Sequence, residues 1–198
     1  MGASVPFVGL TGGLGSGKST ALEALRRLGA EVISSDAIVH ELYEGPELRD
    51  AVVSRFGAEV APGGTVDRAA LARRAFATEA DRAWLEAQIW PLVGARVAAW
   101  LERARKLEPA PAAAVVEVPL LFEAGLGELY DTTIAVVSDE QLRARRAADR
   151  GHEVVDERAA RQLSQDEKAA RASHVVHNNG TVDELERQLS AVLAKLGG

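Results

Sequence analysis

Gly12-Gly13-Leu14-Gly15-Ser16-Gly17-Lys18-Ser19 fits the spacing G-x-x-x-x-G-K-[ST], and no other stretch restricts the folds open to this chain so strongly. The motif works only where a strand ends and a helix begins. Its backbone N–H groups must converge on one phosphate, and the helix adds its own unsatisfied N–H groups and positive dipole end. The flanks meet that demand: Val5 to Leu10 (VPFVGL) is a short apolar run rich in β-formers, and a helical pattern runs from Lys18 to Leu28 until Gly29 stops it. Glycine is frequent here because the chain must approach a phosphate too closely for a Cβ. The residues predicted to hold a nucleoside triphosphate are Gly13, Leu14, Gly15, Ser16, Gly17, Lys18, Ser19 and Thr20, with Lys18 reaching the β- and γ-phosphates and the Ser19 hydroxyl a ligand for Mg²⁺.

Beyond the loop, Glu31 to Ser34 (EVIS), Ala113 to Val118 (AAVVEV) and Thr133 to Val137 (TIAVV) read as further strands separated by helical stretches. Continuous apolar strands alternating with helices predict a parallel sheet covered on both faces, an α/β three-layer fold. The expected plan is one domain over 1–198, with a helical insertion at about 37–108 and a charged, Arg-rich lid at about 141–165. Breaks inside the insertion are expected at Gly45-Pro46, at Ala61 to Gly64 and at Pro91. A last helix from about Val182 to Leu196 opens at Thr181 with Glu184 three places on, the spacing of a capping box.

Composition narrows the function. A net charge of −6 argues against broad nucleic-acid binding, which needs Lys and Arg to replace counterions along the phosphates. There is no cysteine, which removes thiol catalysis, disulfide frameworks and thiolate zinc sites. The four histidines lack metal-like spacing, and no stretch has the apolar length of a membrane span. A soluble cytoplasmic protein with small-molecule partners is expected. The guanine-specific N-K-x-D of switch GTPases is absent, since Asn178-Asn179-Gly180 lacks the Lys and the Asp, and a kinase is then the leading reading of the loop.

A kinase also needs a carboxylate to take the proton of the attacking hydroxyl. Asp36 lies just past the second strand, where ligand crevices of open α/β sheets run. From position alone it fits a general base and a helix N-cap equally.

The stretches VGLTGGLGSGKST (Val8 to Thr20), VISSD (Val32 to Asp36), VPLLFE (Val118 to Glu123) and HNNG (His177 to Gly180) together resemble the dephospho-CoA kinases, in order and spacing, over nearly the whole chain. That resemblance implies a nucleoside-monophosphate-kinase-like fold with a substrate domain and a lid. It implies transfer of the γ-phosphoryl of Mg·ATP to the ribose 3′-hydroxyl of dephospho-CoA, with Asp36 as base, Arg146 and Arg150 as lid arginines at the γ-phosphate, and Thr11 and Glu117 near the substrate. The stretch before Arg146 is about two residues longer than the family pattern, so Arg143 or Arg145 stays open as a substitute, and Arg161 and Gln165 fall into register. Other P-loop kinases, acting on a nucleoside monophosphate or a small alcohol, and a non-catalytic nucleotide-binding regulator are the alternatives. Where the family has His-Pro, this chain has Trp90-Pro91. Indole offers one donor and no acceptor, so a structural role is expected for Trp90, its ring packed within the insertion and Pro91 marking a kink or a helix boundary. Trp84 and Trp100 are expected to pack the same insertion.

Overall fold

A computed structural model describes residues 4–149 and 162–197. Five parallel strands form one sheet in the order β2-β3-β1-β4-β5, from β1 (Phe7–Gly12), β2 (Glu31–Ser34), β3 (Ala114–Glu117), β4 (Thr132–Val137) and β5 (His174–His177). Alternation along each strand divides the core. On one face Val8, Leu10, Val115, Ile134, Val136 and Val176 pack against α1 (Lys18–Arg27) and α8 (Val182–Leu196), through Leu22, Leu25, Leu185 and Leu189. On the other face the odd-numbered residues of β1 meet the segment that follows β3. A Cβ on Gly9 would stand 3.0 Å from Tyr130 Cδ2 and 3.2 Å from Leu121, so the strand needs glycine there for space. Tyr130 lies 4.5 Å from the Phe7 ring, and burial pushes its phenol up to about 12. The expected parallel sheet, covered on both faces, is the observed one.

β5 is a strand that the sequence pattern does not disclose. Four residues with two histidines carry little β signal, and it forms because β4 is there to pair with. Thr133 N donates to Ser173 Oγ at 3.2 Å, Ser173 N donates to Thr133 Oγ1 at 3.0 Å, and Asn178 N donates to the Val137 carbonyl at 2.8 Å, so both ends of the strand are pinned. After β5, Thr181 and Glu184 close the predicted capping box at the head of α8.

The chain divides into two compact units, Met1–Ser34 with Leu101–Gly198, and Ser35–Trp100. The second is helical: α2 (Ser35–Glu44), α3 (Pro46–Phe56), short 3₁₀ turns at Ala58–Val60 and Pro62–Gly64, α4 (Arg68–Ala75) and most of α5 (Glu79–Ala104). Leu48, Val52, Val60, Leu71 and Ala75 are among its buried side chains. Trp84 meets Phe56 edge-on at 5.4 Å beneath the Arg55 guanidinium, and Trp100 is buried, as packing residues should be. Trp90 departs from expectation. The residue is 44% exposed, and α5 runs through Pro91 instead of ending there. The buried side of α5 is carried by Leu85 and Ile89, and position 90 follows on the solvent side of the turn. No helix among the described residues is long and apolar enough to cross a membrane.

Two stability measurements check this packing. Gly9→Ala should lower unfolding free energy by about 1–3 kcal/mol in urea titration, because a methyl pushed against an aromatic ring overpacks the core; a variant within about 0.5 kcal/mol of the parent would mean that Tyr130 gives way freely. Trp90→Ala should cost no more than about 1 kcal/mol, well short of the 3–5 kcal/mol typical of a buried ring.

Candidate active site

The phosphate-binding loop lies between β1 and α1, as its spacing predicts. Gly17 is the N-cap of α1 and provides no side-chain cap, and the first turn has no acidic residue. The leading N–H groups of the helix therefore face outward with nothing from their own turn to satisfy them, which is the condition for anion binding. Gly15 and Gly17 sit at φ +73° and +91°, where a side chain is strained. Space is short as well: a Cβ on Gly15 would come within 2.6 Å of the Arg143 carbonyl, and one on Gly17 would collide with Asn178 Nδ2. Lys18 Nζ lies across the loop, donating to the Gly13 carbonyl at 3.2 Å, and Ser19 is exposed at the start of the helix.

Behind the loop, Asn178 Nδ2 donates to the Ser16 carbonyl at 2.9 Å from a side chain that is itself buried. The Asn178 carbonyl accepts from Ser138 Oγ at 3.1 Å and from Arg146 at 3.1 Å. Arg146 also donates to Ser138 Oγ at 3.2 Å. Arg143 lies directly on the loop. Its Nε donates to the Leu14 carbonyl at 2.9 Å, and another of its guanidinium nitrogens binds Glu140 at 2.6 Å. Both arginines come from α6 (Glu140–Asp149). Arg143 thus touches the loop itself, whereas Arg146 reaches it through Asn178. Arg150 and Arg161 lie outside the described residues. Gln165 opens α7 (Gln165–Arg171) and clamps the end of β4, accepting from Ser138 N at 2.9 Å and donating to the Ser138 carbonyl at 2.8 Å.

The chain leaves the neighbouring strands β1 and β3 toward opposite sides of the sheet, the arrangement that opens a crevice at their carboxyl ends. Thr11, Glu117 and Ser34 stand at those ends. Ser34 Oγ donates to Glu117 Oε2 at 2.6 Å, and Thr11 Oγ1 donates to the Pro119 carbonyl at 3.3 Å. Asp36 belongs to the helical unit and follows Ser34 by two residues. It stands in the first turn of α2, which begins at Ser35, so it is not the residue ahead of the helix that an N-cap would be. The structure thus gathers the loop residues, Thr11, Glu117, Arg143 and Arg146 in one unit, while Asp36 is tied to them by the chain.

Asn178, Ser138 and Ser34 are the site residues that sequence reasoning did not single out. Asn178 had a signal in HNNG, but its side-chain bond to Ser16 spans 162 positions. Among the described residues no group of three or more His, Asp or Glu side chains could hold a metal ion unaided. An exposed hydroxyl at Ser19 beside a phosphate cradle suits Mg²⁺, which keeps most of its waters and takes its remaining oxygens from phosphates and one or two protein groups.

Comparison with known proteins agrees with this geometry. A family model described as "Dephospho-CoA kinase" matches residues 6–184. The chain is 40% identical over 190 residues to a dephospho-CoA kinase of Geobacter metallireducens, covering 93% of this chain and 94% of that one. It is 41% identical over 197 residues to the Deinococcus radiodurans protein of the same name, covering 96% and 91%. A crystal structure of a Thermus thermophilus protein superposes with a TM-score of 0.81 at 35% identity, covering 98% of this chain and all of the other. A phosphate loop on a parallel sheet, matched over this length and at these identities, means that the chain belongs to the dephospho-CoA kinase family.

Proposed function

We propose that the protein transfers the γ-phosphoryl group of ATP to the ribose 3′-hydroxyl of dephospho-CoA, giving coenzyme A and ADP in the last step of coenzyme A synthesis. The observation that carries this reading is the uncapped N-terminus of α1 behind Lys18, in a chain of this family. The hydroxyl oxygen forms a bond to the γ-phosphorus as the bond to the β–γ bridging oxygen breaks. Charge spreads over the equatorial oxygens and onto the departing ADP.

The chain's own groups divide this task. The loop amides and Lys18 hold the β- and γ-phosphates and meet the charge that develops there. Asp36 orients the acceptor and takes its proton. Arg146 and Arg150 are read as the lid cations, with Arg143 the substitute for Arg146 that its hydrogen bond to the Leu14 carbonyl supports. Thr11 and Glu117 line the acceptor side. Mg²⁺, bound with ATP, would supply positive charge against the phosphate oxygens, with Ser19 as its protein ligand. The insertion at about 37–108 is the part that holds dephospho-CoA, and the segment at about 141–165 the part that shields ATP from water. We place the reaction in the cytoplasm, where ATP is made available.

An acceptor panel in a coupled ADP-release assay tests the reading: turnover is expected with dephospho-CoA and not with AMP or shikimate. ATP binding with no transfer to any acceptor would mean a regulator. Lys18→Ala should fold normally and lose about 10²-fold or more in turnover. Asp36→Asn should keep the affinity for ATP, measured by calorimetry, and lose roughly 10²-fold or more in transfer. An Asn variant that is destabilised yet active would assign Asp36 to the helix and not to the chemistry.

A further inference from the structure

Lys168 is a charged side chain that the chemistry above does not use. It sits in α7, and it is completely buried. Among the described residues it is the only ionisable side chain buried in this way. Its ammonium has three donors, and the structure supplies three acceptors: the Pro119 carbonyl at 2.6 Å, Glu123 Oε1 at 2.8 Å and Thr11 Oγ1 at 3.4 Å. Burial pushes Lys168 below the usual lysine range, and the Glu123 carboxylate pulls it back.

The acceptors explain what the charge holds. The register of β1 with β3 ends at Leu10 and Glu117, closed by Val118 N on the Leu10 carbonyl at 2.8 Å. Beyond that point the two chains turn apart. Thr11 leads into the phosphate loop, and Pro119 begins the segment that follows Glu117. The Thr11 hydroxyl donates to the Pro119 carbonyl at 3.3 Å, and the ammonium donates to both, so a side-chain bridge takes over where the ladder stops. Glu123 extends the bridge, since its Oε1 also accepts from Leu163 N at 2.8 Å. Among the described residues, Glu123 Oε2 is buried with no hydrogen-bond partner.

We propose that Lys168 is a positioning residue for phosphoryl transfer: its buried ammonium holds Thr11 and Pro119 together, fixing the root of the phosphate loop against the segment that carries Glu117. Its role in turnover rests on the reading under Proposed function, while its hold on the loop does not. Small displacements of a reacting geometry are costly in rate even when binding survives.

The test uses the full chain with Lys168→Met/Glu123→Gln, which removes both charges at similar shape and so avoids stranding a buried carboxylate. The double variant should melt close to the parent, keep its KM for ATP within about threefold and lose about tenfold or more in kcat. Glu123→Gln alone, whose amide oxygen can still accept from Lys168, should keep kcat within about threefold. Amide hydrogen exchange at Gly12 to Lys18 gives a readout that needs no acceptor, and it should speed up about tenfold or more in the double variant at unchanged global stability. A folded double variant with parental kcat and parental exchange overturns the proposal, as does a folded Glu123→Gln protein with the double variant's full loss. If the parent shows no turnover with dephospho-CoA, the functional reading fails and exchange alone decides: unchanged rates overturn the positioning role. Should the double variant not fold, Thr11→Val keeps the ion pair and removes the hydroxyl. Faster exchange at Gly12 to Lys18 is then expected, and parental rates sink the idea.

Discussion

Helix α1 begins at Lys18 with backbone N–H groups that no side chain of its first turn caps, and the loop before it must hold further N–H groups turned toward the same point. Such a cluster of like dipoles is unfavourable when empty and strongly attractive to a phosphate. It keeps its shape because the surrounding structure leaves it no alternative. Gly15 and Gly17 take backbone conformations that other residues resist, and Arg143 and Asn178 fill the space on either side of them. The rest of the molecule can be understood as the means of holding that strand, loop and helix in one geometry.

Much of the holding is done by side chains that bond to backbone carbonyls. Asn178 binds Ser16, Arg143 binds Leu14, Gln165 binds Ser138, and Lys168 binds Pro119. Each meets the chain just past the carboxyl end of a strand, where a parallel ladder stops and polar backbone groups lose their partners. A buried carbonyl left bare there would be costly, so the polar residues beneath the crevice are a consequence of the fold as much as a preparation for catalysis. The apolar layers differ in kind. Val8, Leu10, Leu25 and Leu189 belong to a core whose contribution is area removed from water, and it sets no direction.

Glu117 and Asp36 illustrate how position alone divides similar groups. Glu117 is held by Ser34 at the end of β3, in the same unit as the loop, and so has a defined place at the strand ends. Asp36 comes two residues after Ser34 and enters the first turn of α2, in the helical unit.

The loop, the strands β1 to β4 and the helices α1 and α8 are all legible in the sequence, because each is settled by interactions among residues close in sequence: glycine's freedom, alternation of apolar residues, a capping box. The family motifs could be read for the same reason, being short and contiguous. Four features were not legible. β5 forms because β4 lies beside it, Asn178 reaches a carbonyl 162 positions away, Lys168 buries a charge against Thr11 across 157, and Trp90 faces solvent where a packed ring was expected. All four depend on which distant segments meet, and a lysine or a tryptophan has no local pattern that states whether its partner will be water or protein. The sequence by itself determined that this chain makes a phosphate loop on a parallel sheet. Only the tertiary structure decided which polar side chains stand behind the loop, because a buried charge is tolerable only where folding has already brought its acceptors within reach.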